Sequence, residues 1–336
     1  MIASFNVCLK KYNTFGLEVK AKELVEIHSL ENFRALLPRL KSEKFVILGG
    51  GSNVLFINDF DGLVVVNKLK GISSASMNQA DVLVTALSGE SWHDFVLWTL
   101  ERGFFGLENM SLIPGTVGAA PMQNIGAYGA ELKDICVQVD VVDLETGKIK
   151  AFSNEECGFG YRESVFKRQF KDKYFVYKVH LKLSRASLIK ADYGNIQAVL
   201  KSKGILFPTH QDVSNAVMEI RCSKLPNPKE LGNAGSFFKN PIVEQSKAEN
   251  ILKSHPNAPH FPDGDRIKIP AGWLIEQCGF KGVREGNVGC YKDQALIIVN
   301  YGDAVGSEVY EYSEKIIEAV RKKFDLVLER EVNVIF

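Results

Sequence analysis

One stretch of the chain, residues 106–129, fits neither a helix nor a strand and limits what the rest can fold into. It contains five glycines and two prolines, and Glu108 is its one carboxylate side chain. In a helix each glycine would cost roughly 1 kcal/mol and an internal proline about 3 kcal/mol. The other residues are mainly Ile, Leu, Met, Val and Ala, unlike those of a solvated linker. Long apolar loops are usually functional, so we expect this backbone to lie against a large, partly apolar ligand. The alternative is a buried connection that only packs.

A second glycine-rich segment, Gly49-Gly-Gly-Ser-Asn53, lies between two strand-like runs at residues 44–48 and 54–57. Three glycines followed by Ser52 and Asn53 can turn several backbone N–H groups toward a phosphate. A Rossmann fingerprint needs a glycine that opens a helix, and a P-loop needs Gly-Lys-Ser/Thr; neither pattern is present. We interpret the segment as a pyrophosphate site, with a tight hairpin turn as the alternative.

Length and charge limit the class of protein. A chain of 336 residues predicts two or three domains. Its 41 basic and 40 acidic side chains nearly cancel, which argues against binding of nucleic acid or of an anionic membrane surface. The six cysteines include no CxxC pair and the six histidines show no metal-ligand spacing, so we expect reduced thiols and no metal. Neither a secretory signal nor a membrane-spanning segment is recognisable, and we expect a cytoplasmic protein.

Hydrophobic periodicity predicts strands mixed with helices. The predicted strands are residues 19–27, 44–48, 54–57, 62–66, 81–87, 135–144, 148–152, 174–183, 295–299 and 326–336. The predicted helices follow the capping residues Ser29, Ser91 and Asp212, or occupy residues 270–276 and 307–324. Two prolines in Lys224-Leu-Pro-Asn-Pro228 break the helix that precedes them, and we place a domain boundary around residues 200–228.

Six motifs stand in the order found in the UDP-N-acetylenolpyruvoylglucosamine reductase family, which the chain resembles from about residue 10 to residue 336. They occupy residues 13–16, 48–56, 113–129, 160–164, 233–241 and 271–275. The resemblance implies an α+β fold, with a two-part FAD-binding domain of the vanillyl-alcohol-oxidase type and a C-terminal α+β substrate-binding domain. We expect the first FAD-binding part at residues 1–70, with 325–336 returning to it. The second part is expected at 71–205 and the substrate domain at 206–324.

The resemblance also implies non-covalent FAD, reduced by NADPH that needs no domain of its own. In agreement, no histidine or cysteine lies between residues 49 and 81 to tether a flavin. The residues implied to bind FAD are Gly49, Gly50, Gly51, Ser52, Asn53, Ile113, Pro114, Gly115, Thr116, Gly118, Ile125, Gly126 and Tyr128.

The implied reaction belongs to peptidoglycan precursor synthesis: hydride passes from NADPH to FAD and then to UDP-N-acetylglucosamine enolpyruvate, which becomes UDP-N-acetylmuramate. A lone arginine is usually a surface residue, but Arg162 in its motif would neutralise charge that develops beside the substrate carboxylate. Glu331, with its pKa raised by burial, would stabilise the enol. Ser236 would protonate the adjacent carbon, helped by a neighbour or a water chain because a hydroxyl is a weak acid.

Five further residues match positions that the family uses toward the nucleotide sugar: Tyr193, Lys224, Asn240, Lys281 and Gln294. Both lysines suit a diphosphate as point charges. Tyr193 belongs to Asp192-Tyr-Gly194, which marks the subtype in which a tyrosine-bearing loop closes over substrate. Phe261 stands where a tyrosine is expected and is left out of the substrate contacts.

Two other functions stay open from the sequence. An FAD-dependent oxidase of the same fold would need a base rather than the carbon-protonating Ser236 and the acid Glu331. A nucleotide-binding regulatory protein would bind without chemistry and would lack a flavin absorption band. Beyond the UDP-sugar we expect no partner, neither nucleic acid nor membrane, and a monomer.

Overall fold

The structure, a computed structural model, describes residues 2–193 and 195–336, so Gly194 of the predicted tyrosine-bearing loop lies outside the described residues. The described part forms twenty strands, seven α-helices and four short 3-10 helices. The strands are β1 (Ile2–Cys8), β2 (Lys20–Ile27), β3 (Phe45–Leu48), β4 (Val54–Phe56), β5 (Phe60–Asn67), β6 (Ile72–Ser76), β7 (Asp81–Leu87), β8 (Gly126–Ala127), β9 (Ala130–Glu131), β10 (Cys136–Asp143), β11 (Ile149–Ser153), β12 (Tyr174–Ser184), β13 (Gly232–Asn233), β14 (Ile242–Glu244), β15 (Phe261–Asp263), β16 (Arg266–Lys268), β17 (Arg284–Glu285), β18 (Val288–Cys290), β19 (Ile298–Asn300) and β20 (Asn333–Ile335). The α-helices are α1 (Leu30–Leu40), α2 (Trp92–Glu101), α3 (Ile196–Ser202), α4 (His210–Lys224), α5 (Gln245–Ser254), α6 (Ala271–Gln277) and α7 (Gly306–Phe324). The 3-10 helices are Lys10–Tyr12, Glu108–Met110, Val117–Ala119 and Leu132–Asp134.

The chain forms two compact units, and each is discontinuous in sequence. The first unit contains Met1–Val7, Ala21–Gly50 and Asp61–Ser223. The second contains Cys8–Lys20, Gly51–Phe60 and Lys224–Phe336. The boundary between the two runs through the predicted pyrophosphate segment, because Gly50 ends one stretch and Gly51 begins the next.

The first unit contains a four-stranded sheet with the order β1-β2-β5-β3, in which β3 and β5 run parallel. Strand β5 is almost entirely buried, as expected for a continuous run of apolar residues. Helix α1 packs its apolar side, Phe33, Leu36 and Leu40, against residues of β2, β5, β10 and β12. The helix begins where predicted, since Ser29 Oγ accepts a hydrogen bond from Asn32 N at 3.1 Å.

A five-stranded sheet, β11-β10-β12-β7-β6, forms the rest of the scaffold of the first unit. All of its neighbouring strands pair antiparallel. Strand β7 alternates buried and half-buried residues, so one face of the sheet is core. Helix α2 covers that face with Trp92, Phe95 and Val96, which lie in the same buried cluster as the apolar residues of 107–132.

The second unit is built from smaller sheets around α7. One sheet has the order β13-β19-β18-β17 and another the order β14-β16-β15, while β20 pairs parallel with β4. Helix α7 packs against β18 and β19 and buries Val309, Tyr312, Ile316 and Val320. No helix of the described residues is long and apolar enough to cross a membrane.

Some predicted boundaries are wrong, and that of α4 has a local reason. Helix α4 begins at His210, because Thr209 N donates to Asp212 Oδ2 at 2.8 Å and Asp212 N donates to Thr209 Oγ1 at 3.2 Å. Asp212 therefore lies inside the first turn instead of preceding the helix. The strand predicted at 295–299 is β19, which covers Ile298–Asn300, and the strand predicted at 326–336 is only Asn333–Ile335. Strand β1 and helix α5 have no counterpart among the predicted elements.

Candidate active site

The two glycine-rich segments predicted to bind pyrophosphate meet in the first unit. A Cβ added to Gly49 would lie 2.2 Å from Thr116 Oγ1, and one added to Gly50 would lie 3.1 Å from Gly115 Cα. A side chain at Gly49 would overlap Thr116, and one at Gly50 would be in tight contact with Gly115. The glycines thus allow two backbones to lie side by side, an arrangement that suits a cradle of N–H groups for an anion. The residues present fit a dinucleotide cofactor with a pyrophosphate.

Backbone hydrogen bonds hold residues 115–118 against the turn before α2. Trp92 N donates to Gly115 O at 3.0 Å, Val117 N to Glu90 O at 2.9 Å and Gly118 N to Ser88 O at 2.8 Å. Added to Gly118, a Cβ would lie 2.4 Å from Ser88 Cβ, so this glycine also permits close contact. These backbone contacts tie the segment to the chain that leads into α2.

Arg162 lies on a loop that interlocks with residues 122–126, part of the predicted FAD segment. Its Nη2 donates to Gly126 O at 3.0 Å, and its backbone has a positive φ of 55°, which is uncommon for a non-glycine residue. On either side of it, Asn124 Nδ2 donates to Gly160 O at 3.0 Å and Ser164 Oγ donates to Met122 O at 2.7 Å. The structure therefore places the predicted catalytic arginine directly beside the predicted cofactor segment.

Asn109 connects the backbone of Tyr128 to that of Lys190 and was not singled out from the sequence. Its buried amide donates to Tyr128 O at 2.9 Å and to Lys190 O at 3.0 Å. Tyr128 has a φ of 49°, and its ring meets that of Tyr193 edge-on, with 6.3 Å between centroids. Burial raises the pKa of the Tyr128 phenol. An asparagine in an otherwise apolar, glycine-rich stretch is the signal that could have identified this position.

Glu108 and His210 fasten α4 to the same stretch. Glu108 Oε1 lies 2.8 Å from His210 Nδ1, and Glu108 Oε2 accepts from Gly106 N at 2.7 Å. The imidazole also stacks on Phe105 at 3.9 Å between ring centroids. Glu108 is only 3% exposed, so the hydrogen bonds offset the cost of burying a carboxylate. These contacts fix the start of the helix that carries Arg221 and Lys224.

In the second unit, Phe237 joins three predicted parts of the site. Phe237 N donates to Leu296 O at 2.9 Å, and Phe237 O accepts from Glu331 N at 2.9 Å. The preceding residue, Ser236, is exposed, whereas Phe237 is fully buried. Asn53 Nδ2 donates to Glu331 O at 3.2 Å. The structure thus brings the Ser236 and Glu331 segments together and places Asn53 beside them. The expected rise in the pKa of Glu331 stays a prediction.

A cavity of about 350 Å³ opens in the second unit between α6 and the chain that precedes β19. Three of the predicted substrate residues line it: Asn240, Lys281 and Gln294. Asn240 Oδ1 accepts from Ala271 N at 2.9 Å, and Lys281 Nζ lies 3.0 Å from Glu276 Oε1. Leu296, which accepts the hydrogen bond of Phe237, lines the same cavity. Ser236 therefore directly precedes a residue that is hydrogen-bonded to the lining of the cavity.

The other predicted substrate residues lie outside this cavity. Tyr193 is 56% exposed in the first unit, and Lys224 is the exposed last residue of α4. Phe261, which was left out of the predicted substrate contacts, is exposed at the start of β15. In the described part of the chain no group of three or more His, Cys, Asp or Glu side chains could hold a metal ion.

Comparison with known proteins gives two family matches. Residues 22–153 match the model of an FAD binding domain, and residues 227–335 match that of the UDP-N-acetylenolpyruvoylglucosamine reductase, C-terminal domain. The predicted combination of an FAD-binding domain and a C-terminal substrate domain is confirmed.

Proteins similar to this chain over nearly its full length carry one name. This chain is 50% identical to the UDP-N-acetylenolpyruvoylglucosamine reductase of Flavobacterium johnsoniae, with 98% of each chain covered. The enzyme of the same name from Pseudomonas aeruginosa is 45% identical over 97% of this chain and 96% of its own. Among solved structures, the reductase from Thermus caldophilus has a TM-score of 0.65 at 24% identity and covers 99% of this chain and 98% of its own, which shows a shared fold.

Proposed function

The chain belongs to the UDP-N-acetylenolpyruvoylglucosamine reductase family and is an FAD-dependent oxidoreductase, and on that premise we propose which residues carry out the reduction. The proposed substrate is UDP-N-acetylglucosamine enolpyruvate and the proposed hydride source is NADPH. One observation carries the assignment: Phe237 links the segment of Ser236 to that of Glu331 and to the cavity lined by Asn240, Lys281 and Gln294. In this assignment the proton donor, Ser236, and the cavity for the substrate belong to the same unit.

The proposed cofactor site uses both glycine-rich segments. Gly49–Asn53, residues 113–118 and residues 125–128 would hold FAD, with backbone N–H groups toward its pyrophosphate. Support comes from the contact of Gly49 and Gly50 with residues 115–116, which leaves no room for side chains. When bound, FAD supplies the ring that accepts hydride from NADPH and passes it to substrate.

The proposed chemistry of the protein side chains is charge neutralisation followed by protonation. Arg162 neutralises the negative charge that develops next to the substrate carboxylate, and its contact with Gly126 O holds it in place beforehand. Glu331 hydrogen-bonds the enol oxygen. Ser236 Oγ donates a proton to the carbon that bears the carboxylate and regains one from water or a neighbouring group.

The substrate residues divide by chemistry. Lys224 and Lys281 bind the diphosphate as point charges, and the amides of Asn240 and Gln294 contact the sugar and its substituents. Tyr193, exposed and in edge-on contact with Tyr128, closes over the nucleotide. A UDP-activated sugar and NADPH are cytoplasmic metabolites, and we place the activity in the cytoplasm, in the synthesis of cell-wall peptidoglycan that maintains cell shape and permits division.

Anaerobic stopped-flow on the two half-reactions tests this assignment. In Ser236→Ala we expect NADPH to reduce the flavin as in wild type, while reoxidation by the enolpyruvyl substrate slows by about 100-fold or more. Ser254→Ala, at an exposed serine of α5, is the matched control and should leave both half-reactions unchanged. Equal loss in both half-reactions would make Ser236 structural. A wild-type reduced flavin that molecular oxygen reoxidises, and the enolpyruvyl substrate does not, would instead indicate an oxidase.

A further inference from the structure

His93, in the first turn of α2, contacts the backbone just before the predicted FAD segment, and none of the proposed roles uses it. Leu112 N donates to His93 Nδ1 at 3.0 Å. A backbone N–H can only donate, so Nδ1 must carry a lone pair, and the proton of the neutral ring must lie on Nε2. The contact therefore exists only while the imidazole is uncharged.

The residue that His93 holds has an unusual backbone conformation. Leu112 has a φ of 60°, in the left-handed region that non-glycine residues seldom adopt. Such a conformation persists only where the surrounding contacts fix it. From Leu112 the chain continues directly into residues 113–116, which are predicted to bind FAD. The backbone of Leu112 thus sets the direction in which the cofactor segment begins.

The residue before His93 holds the same stretch on either side of Leu112. Trp92 Nε1 donates to Met110 O at 3.0 Å, and Trp92 N donates to Gly115 O at 3.0 Å. Neither donor titrates near neutral pH, whereas the imidazole of His93 does. Of these three contacts between α2 and the cofactor stretch, the one at Leu112 is therefore the one that depends on pH.

The surroundings of His93 favour the uncharged ring. Burial lowers the pKa of His93 below the usual histidine value, and the positive charge of Arg221 in α4 lowers it further. The carboxylate of Asp94, the next residue of α2, acts in the opposite direction and is the weaker influence. The acceptor is therefore available at neutral pH, and acid removes it.

We propose that His93 is a positioning residue of the FAD site, which as a neutral imidazole fixes the left-handed backbone of Leu112 and so directs residues 113–116 toward the cofactor. This inference rests on the proposed cofactor site, because it needs residues 113–118 to bind FAD. Protonation turns Nδ1 into a donor that faces the N–H of Leu112. The turn then loses its support, and FAD is bound less tightly in acid.

Release of FAD from the purified holoprotein tests this role without substrate or NADPH. The holoprotein is diluted at a series of pH values, and the FAD that passes an ultrafiltration membrane gives the Kd. His93→Leu has no acceptor for Leu112 N, so we expect its Kd at neutral pH to rise by about 5- to 150-fold. In the wild type the Kd should rise as the pH falls below about 6.5, by at most about tenfold per pH unit.

His93→Asn gives the decisive comparison. The amide oxygen of asparagine can accept from Leu112 N as Nδ1 does, but it does not titrate. We expect this variant to recover most of the affinity lost in His93→Leu, and we expect the ratio of its Kd to that of the wild type to fall in acid. The ratio cancels titrations that both proteins share, including those of the other histidines. His28→Asn, at an exposed histidine of the same unit, is the matched control and should follow the wild type at every pH.

Three results would overturn the role of His93. They are a ratio that stays constant between about pH 8 and pH 5, a His93→Asn variant as weak as His93→Leu, and a His93→Leu variant that binds FAD as the wild type does. If His93→Leu does not fold, the pH dependence of the ratio decides alone. A wild type that retains no FAD at any pH would instead contradict the proposed cofactor site.

Discussion

The contact between Gly49 and Thr116 predicts how the cofactor segment responds to a single added methyl group. In Gly49→Ala the new Cβ would lie 2.2 Å from Thr116 Oγ1 and 3.3 Å from both Cβ and Cγ2 of that threonine. The shortest of these distances is more than 1 Å below the 3.4 Å at which ordinary van der Waals contact begins. To accommodate an alanine, either the Thr116 side chain must shift or the two glycine-rich segments must separate.

The cost of that separation follows from the energetics of overpacking. Adding a methyl group to a closely packed site typically costs about 1–3 kcal/mol. If the separation costs that amount only in the FAD-binding arrangement, the affinity for FAD falls by about 5- to 150-fold. If it also destabilises the folded unit, the Tm falls by about 2–10 °C.

Two measurements and one compensating substitution test this reasoning. FAD retention is followed by the flavin absorption that remains with the protein after gel filtration, and the Tm is followed by circular dichroism. Thr116→Ala alone should have a small effect, and the double variant Gly49→Ala/Thr116→Ala should recover most of the loss, because the 2.2 Å overlap disappears. If Gly49→Ala retains FAD and the wild-type Tm, or if the two substitutions are simply additive, close packing is not the reason for glycine here.

Three more predictions concern the rest of the structure. Asn109→Asp replaces a donor to Tyr128 O and Lys190 O with a carboxylate, and isothermal titration should show about 10-fold weaker binding of the enolpyruvyl substrate; an unchanged Kd would refute a positioning role. Burial raises the pKa of Cys136, Cys157 and Cys290 to about 12. At about pH 8 a thiol reagent should therefore label the exposed Cys8 and Cys222 and leave the three buried cysteines unlabelled until the protein unfolds. Peptide mass spectrometry identifies the labelled residues. Ser29→Ala removes the N-cap of α1 and should lower the free energy of unfolding by about 1 kcal/mol in urea titrations, whereas Ser42→Ala should not.

Local chemistry explains what could be predicted from the sequence. Ser29 and Ser91 cap their helices as expected, because a cap is satisfied within one turn of the chain. The glycines of residues 49–51 and 106–129 were expected to lie against a ligand, which stays a prediction; the structure shows only that the Thr116 side chain leaves no room for a Cβ on Gly49. The two capping serines could be recognised because residue type within one short stretch marks them, whereas the start of α4 was placed wrongly at Asp212.

Features that depend on residues far apart in the sequence could not be predicted from it. Asn109 donates to a carbonyl 81 residues away, and no local pattern marks that partner. Arg221 looks like an ordinary helical cation until the fold buries its Nε. Strand β1 lies at the edge of its sheet with mostly exposed residues, so it lacks the alternation that identifies a half-buried strand.

The parallel pairing of β20 with β4 has a consequence for the order of folding. Asn333, Val334 and Ile335 pair with Val54, Leu55 and Phe56, and Asn333 Nδ2 donates to Asn53 O across 280 residues of chain. During synthesis, residues 51–60 leave the ribosome long before the strand that they pair with exists. Loop closure over such a separation is slow, so we expect the second unit to be completed late. Until then Asn53, in the predicted FAD segment, lacks its contacts with Glu331 and Asn333, and FAD binding would report completion of the fold.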